Sequence, residues 1–167
     1  MFVKKTDIPT VFISPKIEAR KSSIHGWGVF AKEKIEKHEI IESALAVCFH
    51  SDTYQLLREI TGARHILCDY GYVVPDTPFS CMLMGYGMLY NHSDDPNIGY
   101  NFYGSPEPDS KEPVYARFRT RREIQPDEEL VHKYAHNIYF TDAGGWNREV
   151  QPRSETVGDL QTFFNRT

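Results

Sequence analysis

The apolar residues of this chain come in short runs, and that pattern limits the fold more than any other feature. Val11 to Ala19, Gly28 to Phe30 and Ile40 to Phe49 are rich in Val, Ile and Phe and are separated by charged or turn-forming residues, as short β-strands are. Ile98 to Tyr103 and Val114 to Thr120 read the same way, and Gly104 to Pro113 between them has the Pro, Gly and charge of an exposed hairpin loop. Two segments predict helix. Ser51 to Thr61 sets Tyr54, Leu57 and Ile60 at helical spacing behind a Ser-Asp start, and Phe79 to Asn91 is a second candidate despite its two glycines. Many short strands with few helices predict a mainly β, β-rich α+β domain. The strand-helix alternation of a doubly wound sheet is missing.

At 167 residues and 19.3 kDa the chain has room for one hydrophobic core. No apolar stretch approaches the roughly 20 residues needed to span a bilayer, and Met1-Phe2-Val3-Lys4-Lys5 lacks an apolar signal core, so a soluble, intracellular protein is expected. Cys48, Cys68 and Cys81 are odd in number and lack C-x-x-C spacing, which argues against a disulfide framework and a zinc site. A net charge of −4 argues against a direct nucleic-acid role. Arg117, Arg119, Arg121 and Arg122 form either a local basic patch or, as alternate spacing suggests, one solvated strand face.

Three segments carry the chemistry: His25-Gly26-Trp27-Gly28-Val29-Phe30-Ala31, then Asn91-His92-Ser93-Asp94-Asp95-Pro96-Asn97, then Asp127-Glu128-Glu129-Leu130-Val131-His132-Lys133-Tyr134. The glycines of the first permit close backbone approach and unusual dihedral angles. Taken alone, G-W-G is a turn with a buried tryptophan, and N-H-S followed by D-D-P-N is a capped turn. Asn91 offers an acceptor and two donors, and His92 offers ring and backbone polar groups, a set able to hold an amino-acid moiety and a base edge.

In order and spacing these segments resemble the SET-domain protein-lysine methyltransferases, whose signatures run G-x-G, N-H-S-x-x-P-N, then G-E-E-L followed shortly by a tyrosine. The resemblance covers roughly residues 15 to 140, with a variable insert at about 50 to 80, an extension at 1 to 14 and a closing extension at 141 to 167. It implies small curved sheets with a knot-like C-terminal crossing, and transfer of a methyl group from S-adenosylmethionine, leaving S-adenosylhomocysteine, to a lysine. Gly26, Trp27, Gly28, Asn91, His92, Tyr134 and Phe140 would then contact the cofactor. Tyr70, Tyr90, His132 and Tyr139 would line the lysine channel, and Tyr134 would be the catalytic tyrosine. The pattern is most like small stand-alone viral SET proteins, which implies a histone tail as substrate, a homodimer, and a nuclear site of action in a eukaryotic host.

Departures from the pattern are informative. Asp94 replaces the cysteine of N-H-S-C-x-P-N, and no cysteine follows Thr141, so both halves of a zinc site found in many nuclear members are missing and no zinc is expected. Glu42-Ser43-Ala44-Leu45 replaces the family's Glu-Tyr-x-Gly strand. His132 stands where an aromatic or aliphatic residue helps set how many methyl groups are added. Gly145-Trp146 or Phe163-Phe164 closes the channel or packs outside the sheet. Other readings are a methyltransferase of a ribosomal or other non-histone protein, a silent SET-like binding module, and a metal hydrolase built on His132 and His136, which lacks the glutamate of H-E-x-x-H.

Overall fold

A computed structural model describes residues 11–61, 70–107 and 109–134. Among the described residues, ten strands and one helix run in the order β1 (Phe12–Ile13), β2 (Ile17–Lys21), β3 (Trp27–Ala31), β4 (Ile40–His50), α1 (Ser51–Thr61), β5 (Tyr72–Val73), β6 (Phe79–Leu83), β7 (Asn91–His92), β8 (Ile98–Tyr103), β9 (Tyr115–Thr120) and β10 (Glu129–His132). One sheet has the order β5-β6-β4-β9-β8 with β1 added beside β4; the other has the order β2-β3-β10-β7. The domain is mainly β, as the short apolar runs predict.

One face of the larger sheet carries a cluster of rings. Antiparallel register places Tyr100 opposite Phe118, Phe118 opposite Glu42, Ala116 opposite Ala44, and Cys48 opposite Cys81, and opposed residues share a face. Small Ala44 and Ala116 alternate with the large rings, so the rings have room to interlock. Phe118 lies 4.7 Å from the ring of Tyr90 and 5.4 Å from that of Tyr100. Leu130 of β10 and Val29 of β3 are fully buried and carry the second sheet into the same core. Removing a side chain such as Leu130 would cost about 2–5 kcal/mol.

The structure differs from the sequence expectations at three places. Phe79 to Asn91 is not a helix: Phe79, Cys81 and Leu83 alternate inward with period two as β6, and Gly85, at φ +75°, then turns the chain. Val11 to Ala19 is two strands, because Pro15 has no N–H for a ladder and Ser14 closes a turn by accepting from Ile17 N–H at 3.3 Å. Arg117 is not solvated. It is 8% exposed, with its guanidinium 5.3 and 5.1 Å from the rings of Tyr103 and Tyr115.

Candidate active site

The smaller sheet brings the three sequence segments together. β10 pairs antiparallel with β3, Leu130 opposite Val29, and parallel with β7, Val131 opposite Asn91 and His132 opposite His92. At this junction the Asn91 side-chain amide, 4% exposed, lies 3.2 Å from the carbonyl oxygens of His25 and Trp27 and 2.7 Å from Glu129 Oε1. Three acceptors around one nitrogen fix which end of the amide is NH2. Ser22 Oγ reaches the same carboxylate at 2.8 and 2.9 Å. Gly28 has no side chain for a packing reason, since a Cβ there would collide with Glu129 Oε1 and stand 3.1 Å from Asn91 Nδ2.

Asn97 supports this amide joint from behind. Buried to 2%, it donates to Glu128 Oε1 and Glu129 O and accepts from Val131 N–H, each at 2.8 Å. Asp127 precedes them at φ +65°, a left-handed angle that glycine adopts without strain and aspartate tolerates better than most residues. Arg20 holds it through Oδ1 at 2.9 Å.

Beside the joint stands an aromatic wall. His132, 3% exposed, stacks on Tyr72 at 5.9 Å, meets Tyr100 edge-on at 5.5 Å and lies 4.8 Å from Tyr134. Burial pushes its pKa down to about 4, so the ring is neutral at physiological pH. The Tyr72 hydroxyl donates to Gly87 O at 2.6 Å and lies 3.3 Å from His132 Nε2. His132 Nδ1 is buried and has no hydrogen-bond partner among the described residues.

Tyr134 is fixed at both ends. Its N–H donates to His92 Nδ1 at 3.0 Å and its hydroxyl donates to Tyr90 O at 3.0 Å. Burial pushes the phenol up to about 12, which leaves about one molecule in 100,000 as phenolate at pH 7. Tyr70 lies close enough to add to that upward push.

A sequence model of the SET domain matches residues 26–135, the stretch that contains this junction. The chain belongs to the SET-domain family of protein-lysine methyltransferases. It is 28% identical over 143 residues to a histone-lysine N-methyltransferase of Schizosaccharomyces pombe described as H3 lysine-37 specific, covering 86% of this chain and 89% of that one. The crystal structure of a candidate histone methyltransferase of Plasmodium falciparum is 31% identical, with a TM-score of 0.55 over 77% of this chain and all of that one. KRYPTONITE, crystallised with mCHH DNA, an H3(1–15) peptide and SAH, matches at 17% identity with a TM-score of 0.53, covering 73% of this chain and 24% of that one, a likeness of fold.

Within this SET domain, Gly28, Asn91, His92, His132 and Tyr134 fall at the junction of β3, β7 and β10. Gly26, at φ +47°, turns the chain into β3, and Trp27 at the start of β3 is 43% exposed beneath Lys21 Nζ at 5.1 Å. Tyr90 contributes its carbonyl to Tyr134, whereas its own ring is 1% exposed and its hydroxyl donates to Glu42 at 2.8 Å. Tyr139, Phe140, His136 and Cys68 lie outside the described residues. Among the described residues, no three His, Cys, Asp or Glu side chains are grouped to hold a metal ion, and no helix is long and apolar enough to cross a membrane. Sequence reasoning missed Ser22, Tyr72, Tyr100 and the role of Glu129. The only signals were the tyrosine two places after Tyr70 and the second acid of Glu128-Glu129.

Proposed function

We propose that this SET domain methylates a lysine of a basic histone tail, with S-adenosylmethionine as donor. The observation that carries the reading is the convergence of the three segments beside a dry wall in which Tyr134 and His132 are both neutral. When bound, S-adenosylmethionine supplies a methyl group activated on a sulfonium. The residues present fit its amino-acid end. Oxygens of His25, Trp27 and Glu129 crowd one corner around the Asn91 amide, and such an acceptor-rich corner suits a cationic amino group. Gly26, Trp27, Gly28, Asn91 and His92 would hold the donor, with Phe140 and Tyr139 completing the cover and channel as the resemblance implies.

The remaining task is to present a neutral amine in line. A free lysine has a pKa near 10.4, so about one in 2,500 is uncharged at pH 7. Burial among uncharged rings favours the neutral amine, and a nearby cation favours it further. The Tyr134 hydroxyl donates a hydrogen bond to Tyr90 O, which aims it, and a phenol oxygen can accept an N–H of the amine and orient the nitrogen lone pair. With a pKa of about 12 it is a positioning hydroxyl and not a general base, and the lysine proton leaves to solvent before transfer. Alignment then supplies most of the rate. A net charge of −4 favours a basic tail, the relative from Schizosaccharomyces pombe acts on H3, and a nuclear site of action follows from that substrate. The homodimer implied by the resemblance to viral members belongs to the same reading.

Transfer of labelled methyl to core histones and to a bacterial lysate, with Tyr134→Phe alongside, tests this. A histone lysine labelled by the wild type and not by the variant is the expected result. Labelling only of lysate proteins redirects the substrate, and donor binding without any transfer indicates a binding module.

A further inference from the structure

The buried carboxylate of Glu42 belongs to none of the three segments, yet it grips the chain that leads into Asn91. It is fully buried on β4 and accepts from Tyr86 N–H at 2.7 Å and from the Tyr90 hydroxyl at 2.8 Å, with the Gly87 main chain adding a further hydrogen bond. Gly85 turns the chain at φ +75° with its missing side chain toward the carboxylate, where a Cβ would collide with Glu42 Oε1. No cation pairs with Glu42 among the described residues. A buried carboxylate without a cation is costly, so its hydrogen bonds must hold something the fold or the site needs.

The same short segment sends two carbonyls the other way. Gly87 O accepts the Tyr72 hydroxyl at 2.6 Å, and Tyr90 O accepts the Tyr134 hydroxyl at 3.0 Å. Tyr72 in turn meets His132 Nε2 at 3.3 Å. The Tyr72 and Tyr134 hydroxyls therefore bear on carbonyls of Gly87 and Tyr90, two residues that Glu42 holds by main chain and by ring hydroxyl respectively. We infer that Glu42 is a positioning residue for methyl transfer, fixing residues 85–90 so that the Gly87 and Tyr90 carbonyls aim Tyr72 and Tyr134. The inference rests on the methyltransferase reading above. Burial pushes Glu42 up to about 7, which agrees with a carboxylate held in place against its solvation preference.

Glu42→Gln keeps the size of the side chain but turns an N–H toward either Tyr86 N–H or the Tyr90 hydroxyl, two groups that now donate. The test measures kcat and both KM values on the best histone substrate for wild type, Glu42→Gln, Tyr90→Phe, Tyr134→Phe and the two double variants with Tyr134→Phe. Thermal melts check folding. Glu42→Gln is expected to lower kcat on the order of tenfold with the donor KM unchanged within about twofold, since a small misplacement of a positioning group costs rate before binding. In the Tyr134→Phe background the same change is expected to cost less than about threefold, because the hydroxyl through which Glu42 acts is gone. Tyr90→Phe removes one hydroxyl with little effect on packing and follows the same pattern, so a Glu42→Gln protein that fails to fold does not spare the inference. Unchanged kcat, or equal losses in both backgrounds, overturns it. A wild type that transfers nothing overturns the functional reading and this assignment with it.

Discussion

The amide joint around Asn91 and the aromatic wall around His132 sit on one pair of parallel strands, yet they are held by opposite means. At the joint, side chains bond to oxygens brought from distant segments, and Asn91, Asn97, Ser22 and Glu129 have their partners in place. At the wall, ionisable groups are kept uncharged by burial, and one polar atom, His132 Nδ1, is left bare among the described residues. The joint resembles a finished structural part, whose loss would be felt as stability. The wall resembles a surface waiting for a substrate, paid for in solvation of its buried groups.

The largest stability effects should come from His132 in the wall and Glu42 behind it, and they should cancel in the wild type. Glu42 has a folded pKa of about 7 against an ordinary value of 4.5, so its contribution declines as pH rises from about 4.5 to 7. His132 has a folded pKa of about 4 against 6.5, so its contribution grows as pH rises from about 4 to 6.5. Each shift corresponds to about 3 kcal/mol in the opposite sense. Urea unfolding across this range should show Glu42→Gln gaining stability as pH rises and His132→Phe losing it. Parallel profiles for the two variants would break the comparison.

The joint should respond to steric and hydrogen-bond changes without a pH signature. Gly28→Ala forces a methyl group against Glu129 Oε1 and Asn91 Nδ2 and should cost about 1–3 kcal/mol, lowering Tm by several degrees. A Gly28→Ala protein as stable as wild type would show that Glu129 moves freely and that the joint is loose. Ser22→Ala removes one hydroxyl donor from a carboxylate that keeps Asn91 and should cost about 1 kcal/mol in the same melts. A cost as large as that of Gly28→Ala would make Ser22 the main support instead.

The difference between the two regions also explains what the sequence made legible. The joint is built from contiguous strings, so Gly26-Trp27-Gly28, Asn91-His92 and Glu128-Glu129-Leu130 could be recognised without coordinates. The short runs rich in β-branched residues likewise indicated a mainly β domain. The wall draws Tyr72 from β5, Tyr100 from β8 and His132 from β10, and only strand register brings them together. Phe79 to Asn91 misled for a related reason. Its apolar residues fit either period over so short a stretch, and the buried Glu42 that organises the turn lies 44 residues away from Tyr86. The expected solvation of Arg117 failed because Tyr103 and Tyr115 cover it from neighbouring strand positions.

The most direct test of the division of labour is to measure S-adenosylmethionine affinity by calorimetry and single-turnover methyl transfer for Asn91→Ala and Tyr134→Phe side by side. Asn91→Ala is expected to lose donor binding, whereas Tyr134→Phe is expected to bind the donor within a few-fold of wild type and to transfer on the order of a hundredfold more slowly. Donor binding retained by Asn91→Ala, or a Tyr134→Phe protein whose transfer rate is unchanged at saturating donor, would contradict it.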